Sequence, residues 1–562
     1  MSEKEDSSSR SRSGNSTGGS RRRFLRQMGG VAGAAVAANA VGVPVISLVG
    51  AKPATVAEIG PQTGAQRADS AYDVRQQAAL DQRQRPLPAH PTNGDEELYP
   101  SKIGSYSKAL PHSSLGEVVI PAYNSLTHAL TTGNPADFEA IILGGTDKLT
   151  SPQAAYAFEL EGADSHAIAT PPPPALSSEE EGGEMAENYW MALLRDVPFN
   201  QYGLNPLAAS AASELSQFSN YSGVTPASLF RGSTPGDLAG PYVSQFLWKD
   251  YPAGAAAPLV VVPSVQQRYR VPIPAKDFLT SYGEWLNVQD GKAPSEAITF
   301  DPAARYIRNG RDLSEFVHID YSIQAFLHAA LILMSYGDAA LDDNHPYKNS
   351  RTQKGFVMFG GPHIIDMMAR VANPGMKATW YQKWLVHRRL RPEEFGGRVH
   401  NRKLGAASYP VEPKLLNSQA LQLTSLRNGS YLLPMSYPEG CPTHPAFPSG
   451  HATIAGACVT VLKAYFKESF AIPNPVQASL DGLALLPYSG GPLTVGGELN
   501  KLAANVALGR VFSGVHWRSD GIEGMKVGEA IAISIMQDYR RTYNEDFAGF
   551  TLTKLDGTVV TV

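Results

Sequence analysis

The chain has 562 residues, 43% of them hydrophobic and 18% charged, with a formal net charge of −4. That length suits one very large domain or two to four ordinary ones, and a core of this size needs neither metal nor disulfide merely to fold. The slightly acidic balance argues against a dedicated nucleic-acid binder, and two cysteines without a Cys-x-x-Cys spacing exclude a disulfide framework or a metal knuckle.

Residues 1–20 are polar and rich in Ser, Gly and charge, which predicts disorder. Ser20-Arg21-Arg22-Arg23-Phe24-Leu25-Arg26 follows, then a Gly/Ala/Val-rich run to about residue 49. This resembles a twin-arginine export signal, with Ala38-Asn39-Ala40 as a cleavage site. The alternative is a basic arm before a membrane anchor, but the run is only weakly apolar. Residues 1–51 are therefore assigned to a leader and signal, which implies export to the periplasm or the extracellular space. The mature chain offers no further stretch apolar enough to span a membrane.

Two helical parts of one catalytic region are expected, 52–350 and 351–562. Residues 71–83 read as a helix, and Asn93-Gly94-Asp95-Glu96 as a surface turn. The proline run 171–174 must be extended, and the acidic stretch 177–183 after it reads as a surface loop or strap. Helices are expected over 276–282, 316–336, 376–390 (stopped by Pro392), 450–466, 499–512 and 517–539. Strand signals are few and short, so the fold class is mainly α, of packed helical bundles. Cys458 falls on a helix that starts after Cys441, so two thiols are expected, a single bridge being the alternative.

Three segments carry the chemistry. They are Lys383-Trp384-Leu385-Val386-His387-Arg388-Arg389-Leu390-Arg391-Pro392, His444-Pro445-Ala446-Phe447-Pro448-Ser449-Gly450-His451, and Gly509-Arg510-Val511-Phe512-Ser513-Gly514-Val515-His516-Trp517-Arg518-Ser519-Asp520. Together they supply what a tetrahedral oxyanion requires. Lys383, Arg391 and Arg510 can face its oxygens. On a single helix Lys383 and Arg391 would lie a little over two turns apart, broadly on one side. Ser449 offers a hydroxyl, and Gly450 a closely approaching N–H at the positive end of a helix. His451 is placed to exchange a proton. His516 is left as nucleophile or metal ligand, its other ring nitrogen held by Asp520 or a carbonyl. Each piece alone has a blander reading: a solvated basic face, a capped helix start, a structural histidine.

In this order the three segments resemble the superfamily of vanadium haloperoxidases and type 2 phosphatidic-acid phosphatases. Its pattern is Lys, six or seven residues, Arg-Pro; then Pro-Ser-Gly-His; then Arg, five residues, His, three residues, Asp. Lys383 and Arg391 enclose seven residues, the spacing of bromoperoxidase-like members, and Gly509 stands where Ser is frequent. Glu393-Glu394-Phe395-Gly396-Gly397 and Pro442-Thr443-His444-Pro445 look like the same branch. The resemblance implies that His516 binds vanadium(V) and that Lys383, Arg391, Ser449, Gly450 and Arg510 hold the vanadate oxygens. It also implies that His451 takes a proton from hydrogen peroxide and that halide leaves as hypohalous acid, which halogenates small organic molecules. His444 sits where bromoperoxidases carry a histidine, and would lower the pKa of His451 by like-charge repulsion. Its plainer reading is a turn residue before a proline. Bromide and iodide are the favoured halides. Gln382 replaces an Arg common in algal bromoperoxidases, which leaves chloride open. Phe447 and Trp384 read as halide-pocket walls or simply as core. A calcium site and a homodimer or larger oligomer are expected by analogy only.

Two rival functions share these residues. An exported acid phosphatase would use His516 as nucleophile and His451 as the acid for the leaving group. A non-catalytic oxyanion-binding protein would need less than three cations and two histidines. A haem peroxidase and a nucleic-acid contact by Arg388, Arg389 and Arg391 find less support.

Overall fold

In the computed structural model residues 61–253 and 264–562 are described. The expected disordered start, export signal and cleavage site fall outside these ranges. Eight helices position the site: α1 (Glu179–Leu194), α2 (Gly310–Phe316), α3 (Gln324–Ser335), α4 (Ala372–Tyr381), α5 (Pro392–Lys403), α6 (Gly450–Tyr465), α7 (Val495–Phe512) and α8 (Arg518–Arg540). Strands among the described residues are three short antiparallel pairs: Tyr251–Pro252 with Ser264–Val265, Val476–Ala478 with Leu485–Pro487, and Thr551–Thr553 with Val559–Thr561. The architecture is mainly α.

Short polar side chains start the central helices by satisfying their first N–H groups. Ser178 Oγ accepts from Glu181 N at 3.1 Å on α1. Ser449 Oγ accepts from Ala452 N at 3.4 Å on α6, and Thr494 Oγ1 from Gly497 N at 3.3 Å on α7. The Asp520 carboxylate turns back to Trp517 N at 3.0 Å and closes the start of α8. Helices α6 and α7 are buried along almost their whole length. Helices α6 and α8 touch backbone to backbone. A β-carbon on Gly528 would lie 1.9 Å from Thr453 O, and one on Gly456 would lie 2.0 Å from Met525 O. Thr379 Oγ1 donates to Thr453 Oγ1 at 2.7 Å and ties α4 to the same helix.

Several expected elements differ, each for a tertiary reason. The helix expected over 316–336 is broken: α2 ends at Phe316 and α3 starts at Gln324. Arg510 captures the Val317 carbonyl at 2.6 Å, and the His318 ring stacks on Tyr437 at 3.8 Å, so 317–323 becomes a loop. The helix expected over 376–390 runs as α4, then widens into a π-helical turn over Gln382–His387. Arg388, at φ 41°, ends it, and Pro392 opens α5 instead of only stopping its predecessor. Lys383 and Arg391 therefore do not share a helix. The acidic stretch 177–183 is no surface strap. It starts α1, and Glu181, Gly182, Gly183 and Glu184 are buried. Residues 276–281 are not helical, because Phe278 pairs with Met435 through two main-chain bonds of 2.9 and 3.0 Å. The helix there starts at Tyr282, capped by Ser281.

The turn at Asn93–Glu96 exists, with Gly94 at φ 80°. Its Asp95 is buried, not on the surface, and accepts Leu176 N at 2.8 Å. The helix expected over 71–83 starts earlier, at Gly64, behind a Thr63–Gln66 capping box. Cys441 and Cys458 are separate buried thiols. Among the described residues no helix is long and apolar enough to cross a membrane.

The α6–α8 contact gives a test. In an open helix Gly→Ala gains about 1 kcal/mol. At Gly528 the new methyl would meet a main-chain carbonyl that cannot swing aside, and such overpacking costs about 1–3 kcal/mol or more. Gly528→Ala is expected to lower the thermal midpoint. An unchanged or raised midpoint would show that the two backbones can part without cost.

Candidate active site

Lys383 projects from the π-helical turn and is fully buried. Its Nζ donates to the carbonyls of Pro445 at 2.6 Å and Ala446 at 2.7 Å. Arg391 stands at the extended residue before α5. Its Nε donates to His444 O at 2.9 Å and its Nη1 to Val515 O at 2.7 Å. Arg510, in the last turn of α7, donates from Nη1 to Val317 O at 2.6 Å and lies over the Tyr437 ring at 5.6 Å. Its Nε is buried without a partner. Three cations from three elements thus converge, each oriented by main-chain carbonyls. Among the described residues none of the three has a carboxylate within ion-pair distance of its nitrogens.

His516 lies in the turn between α7 and α8. Its Nδ1–H donates to Asp520 Oδ2 at 2.8 Å, while its Nε2 accepts from Arg391 Nη1 at 3.0 Å. The two contacts fix the tautomer and aim the Nε2 lone pair at the cations. Burial, then Arg391, Lys383 and Arg510, push the pKa of His516 well down, so the ring is neutral. Ser449 N donates to Asp520 O at 2.9 Å, which draws the start of α6 to the start of α8. Gly450 follows, and a β-carbon on it would lie 3.2 Å from Met376 Sδ and 3.4 Å from Trp380 Cζ3. A side chain there would press on that sulfur and that ring.

His451 sits on the same helix start, partly exposed. Its Nε2 bonds Asp320 Oδ1 at 2.9 Å, which leaves Nδ1 as the proton acceptor. Burial and Arg510 lower its pKa, and Asp320 opposes them. The repulsion expected from His444 comes instead from Arg510 and Lys383. His444 is buried, tilted against Trp380 at 4.8 Å, and accepts from Arg391 Nη2 at 2.9 Å. Burial, Arg391 and Lys383 push its own pKa well down.

The structure gathers Lys383, Arg391, His444, Ser449, Gly450, His451, Arg510, His516 and Asp520 into one place. Gln382 turns elsewhere: its amide donates to Ile168 O at 2.6 Å and to His90 Nδ1 at 3.2 Å. Trp384 is fully buried, edge-on to Tyr106 at 5.8 Å. Phe447 is also fully buried, edge-on to His387 at 4.8 Å. Arg388 pairs with Glu96 at 2.7 Å, and Arg389 and Arg391 are buried, so these arginines form no exposed basic face.

Sequence reasoning missed two supports. One is Asp320, far from His451 in the chain and on a segment read as helix. No local signal marks it. The other is the group around Arg389, whose Nη1 donates to Asp520 Oδ1 at 2.8 Å. Its Nη2 pairs with Glu181, and with Glu184 at 3.2 Å. Burial works against that charge, but Glu181, Asp520 and Glu184 hold it in place. Burial pushes Glu181 up to about 8. The Ser178 cap followed by acids three residues apart was the available signal. Among the described residues no three His, Cys, Asp or Glu side chains gather as a metal cradle.

A bromoperoxidase from Ascophyllum nodosum, vanadium-dependent, is 34% identical over 486 residues, which cover 81% of this chain and 85% of the relative. The chain belongs to the vanadium-dependent bromoperoxidase family. A second family member, from Corallina pilulifera, is 33% identical over 88% of this chain and 98% of its own. A solved homohexameric vanadate-dependent bromoperoxidase from Ascophyllum nodosum superposes with a TM-score of 0.83 at 30% identity, covering 93% of this chain and 94% of the other. Residues 418–545 match the second helical-bundle domain of the VCPO family model. The bromoperoxidase fold is thus carried by this enzyme's chain.

Asp320→Asn tests the role of the His451 contact. It removes the group that raises the pKa of His451 and keeps Arg510 and burial, which lower it. A base works above its pKa, so the acidic limb of kcat/KM is expected to move to lower pH. A limb that stays put or moves up would show that Asp320 does not set the proton affinity of His451.

Proposed function

We propose that the chain holds vanadate between Lys383, Arg391, Arg510 and His516 and there oxidises halide with hydrogen peroxide, favouring bromide and iodide. The observation that carries this is the buried triad of cations, none paired with a carboxylate among the described residues, around the unprotonated Nε2 of His516, which faces Arg391 Nη1 at 3.0 Å. A buried charge without a counter-ion is costly, and burial with Arg391 drives the pKa of Lys383 well down. An oxyanion restores the balance. The donor set suits a tetrahedral oxometalate: His516 Nε2 as ligand, the three cations, the Ser449 hydroxyl and the Gly450 N–H for its oxygens. Bound vanadate would supply a Lewis acid that activates peroxide toward halide.

The chain's own groups do the rest. Asp320 holds Nε2 of His451, so Nδ1 is turned to take a proton from peroxide. Asp520 keeps Nδ1–H of His516 committed and its Nε2 free of protons. The overall reaction balances as X⁻ + H2O2 + H⁺ giving HOX + H2O. His444 and Trp380, tilted against each other with Trp380 5.9 Å from Lys383 Nζ, support the bromide and iodide preference, since they leave a polar, polarisable wall near the cations. The homohexameric relative supports a homo-oligomer. The Arg21-Arg22-Arg23 segment and the Ala/Gly run after it support twin-arginine export, which sequencing of the mature N-terminus checks.

Lys383→Met separates the two demands on this site. Replacing a buried, unpaired charge with an apolar chain of similar length is expected to raise the thermal midpoint of the vanadate-free protein. The same change should weaken vanadate binding by about 1.5–3 kcal/mol, roughly ten- to a hundredfold in Kd. Parallel assays with chloride, bromide and iodide rank the halides. Release of p-nitrophenol from its phosphate, without any vanadate-dependent bromination, would replace this proposal with the phosphatase reading.

A further inference from the structure

Hypohalous acid must leave past the side chains that border its source, and a thioether is readily oxidised. Among the described residues most methionines are fully buried, and Met334, Met358 and Met376 are part-exposed. Met376 stands apart from the other two by position. It lies on α4, about one turn before Trp380 and two before Lys383. Both its Sδ and its Cε lie 3.2 Å from where a Gly450 β-carbon would be. Trp380, beside it, lies 5.9 Å from Lys383 Nζ and 4.8 Å from the His444 ring. The part-exposed thioether thus borders the glycine that precedes His451. Met334 lies instead against Gly361, at 3.2 Å from its β-carbon position.

We propose that Met376 is a modification site, oxidised to its sulfoxide by the hypobromous acid the enzyme itself makes. The inference rests on the vanadate-site reading above. The sulfur lone pair takes bromine from HOBr; an S–Br bond forms, the Br–O bond breaks and hydroxide leaves. Water then adds to sulfur, bromide departs, and two protons are lost, one of them to the hydroxide. The sum is R2S + HOBr giving R2SO + Br⁻ + H⁺, in which bromine gains the two electrons that sulfur loses. The product carries a polar oxygen on the sulfur that lies beside Gly450, and in this proposal it slows turnover. Sulfoxide reductases reverse such a lesion.

The test is peptide mapping by mass spectrometry of the vanadate-loaded enzyme after turnover with peroxide and bromide. The Met376 peptide is expected to gain one oxygen on the order of tenfold faster than those of Met334 and Met358. Peroxide without bromide should leave it unchanged. Reagent hypobromite on the vanadate-free protein should oxidise the three by exposure alone. Met376→Leu should remove the progressive slowing, and the paired methionine sulfoxide reductases should restore the unsubstituted enzyme. Equal rates at the three residues during turnover, or oxidation by peroxide alone, would overturn the inference. Dye bromination measured alongside separates the two claims. Bromination with Met376 untouched sinks this inference only, whereas no bromination by vanadate-loaded protein sinks the function and this inference together.

Discussion

Three cations buried around a neutral imidazole, held by carbonyls and not by carboxylates, set the terms for everything else in this molecule. A carboxylate would fix a guanidinium equally well, but it would also neutralise it. The carbonyls of Pro445, Ala446, His444, Val515 and Val317 orient Lys383, Arg391 and Arg510 without neutralising them. Inside a low-dielectric core that residual field is far stronger than the same charges would produce in water.

The arrangement is costly to the empty protein, and the surrounding structure offsets it at one remove. Asp520 is the link. One carboxylate oxygen fixes His516 and closes the start of α8, and the other meets Arg389. Arg389 in turn faces Glu181 and Glu184 at the buried start of α1. Negative charge is thereby stored behind the imidazole, where it steadies the cavity without competing for its contents. The same network explains why an acidic stretch that looks soluble in sequence is packed in the core.

Helix starts finish the site. Ser449 and Gly450 come to the cavity because the Ser449 N–H docks on the Asp520 carbonyl and because glycines let α6 and α8 meet along their backbones. His451 is carried to the rim by the first turn of α6, and the broken segment between α2 and α3 brings Asp320 to it. The break is no flaw in an otherwise helical pattern. It is where Arg510 takes a carbonyl from the chain, and the loop so made supplies the partner of His451.

The sequence by itself determined the chemistry of the cavity. Lys383, Arg391, Ser449, Gly450, His451, Arg510, His516 and Asp520 were legible because their types and spacing fit an oxyanion, and because caps and apolar periodicity mark α6, α7 and α8 locally. Only the tertiary structure decided how the cations meet. Lys383 and Arg391 look like neighbours on one helix, yet a π-helical turn and a left-handed residue part them, and they reconverge on the 444–446 carbonyls. Asp320, Glu181 and Glu184 were silent for the same reason. Their roles depend on charges and carbonyls distant in the chain, and no local pattern of residues records which buried group a folded chain will bring to face them.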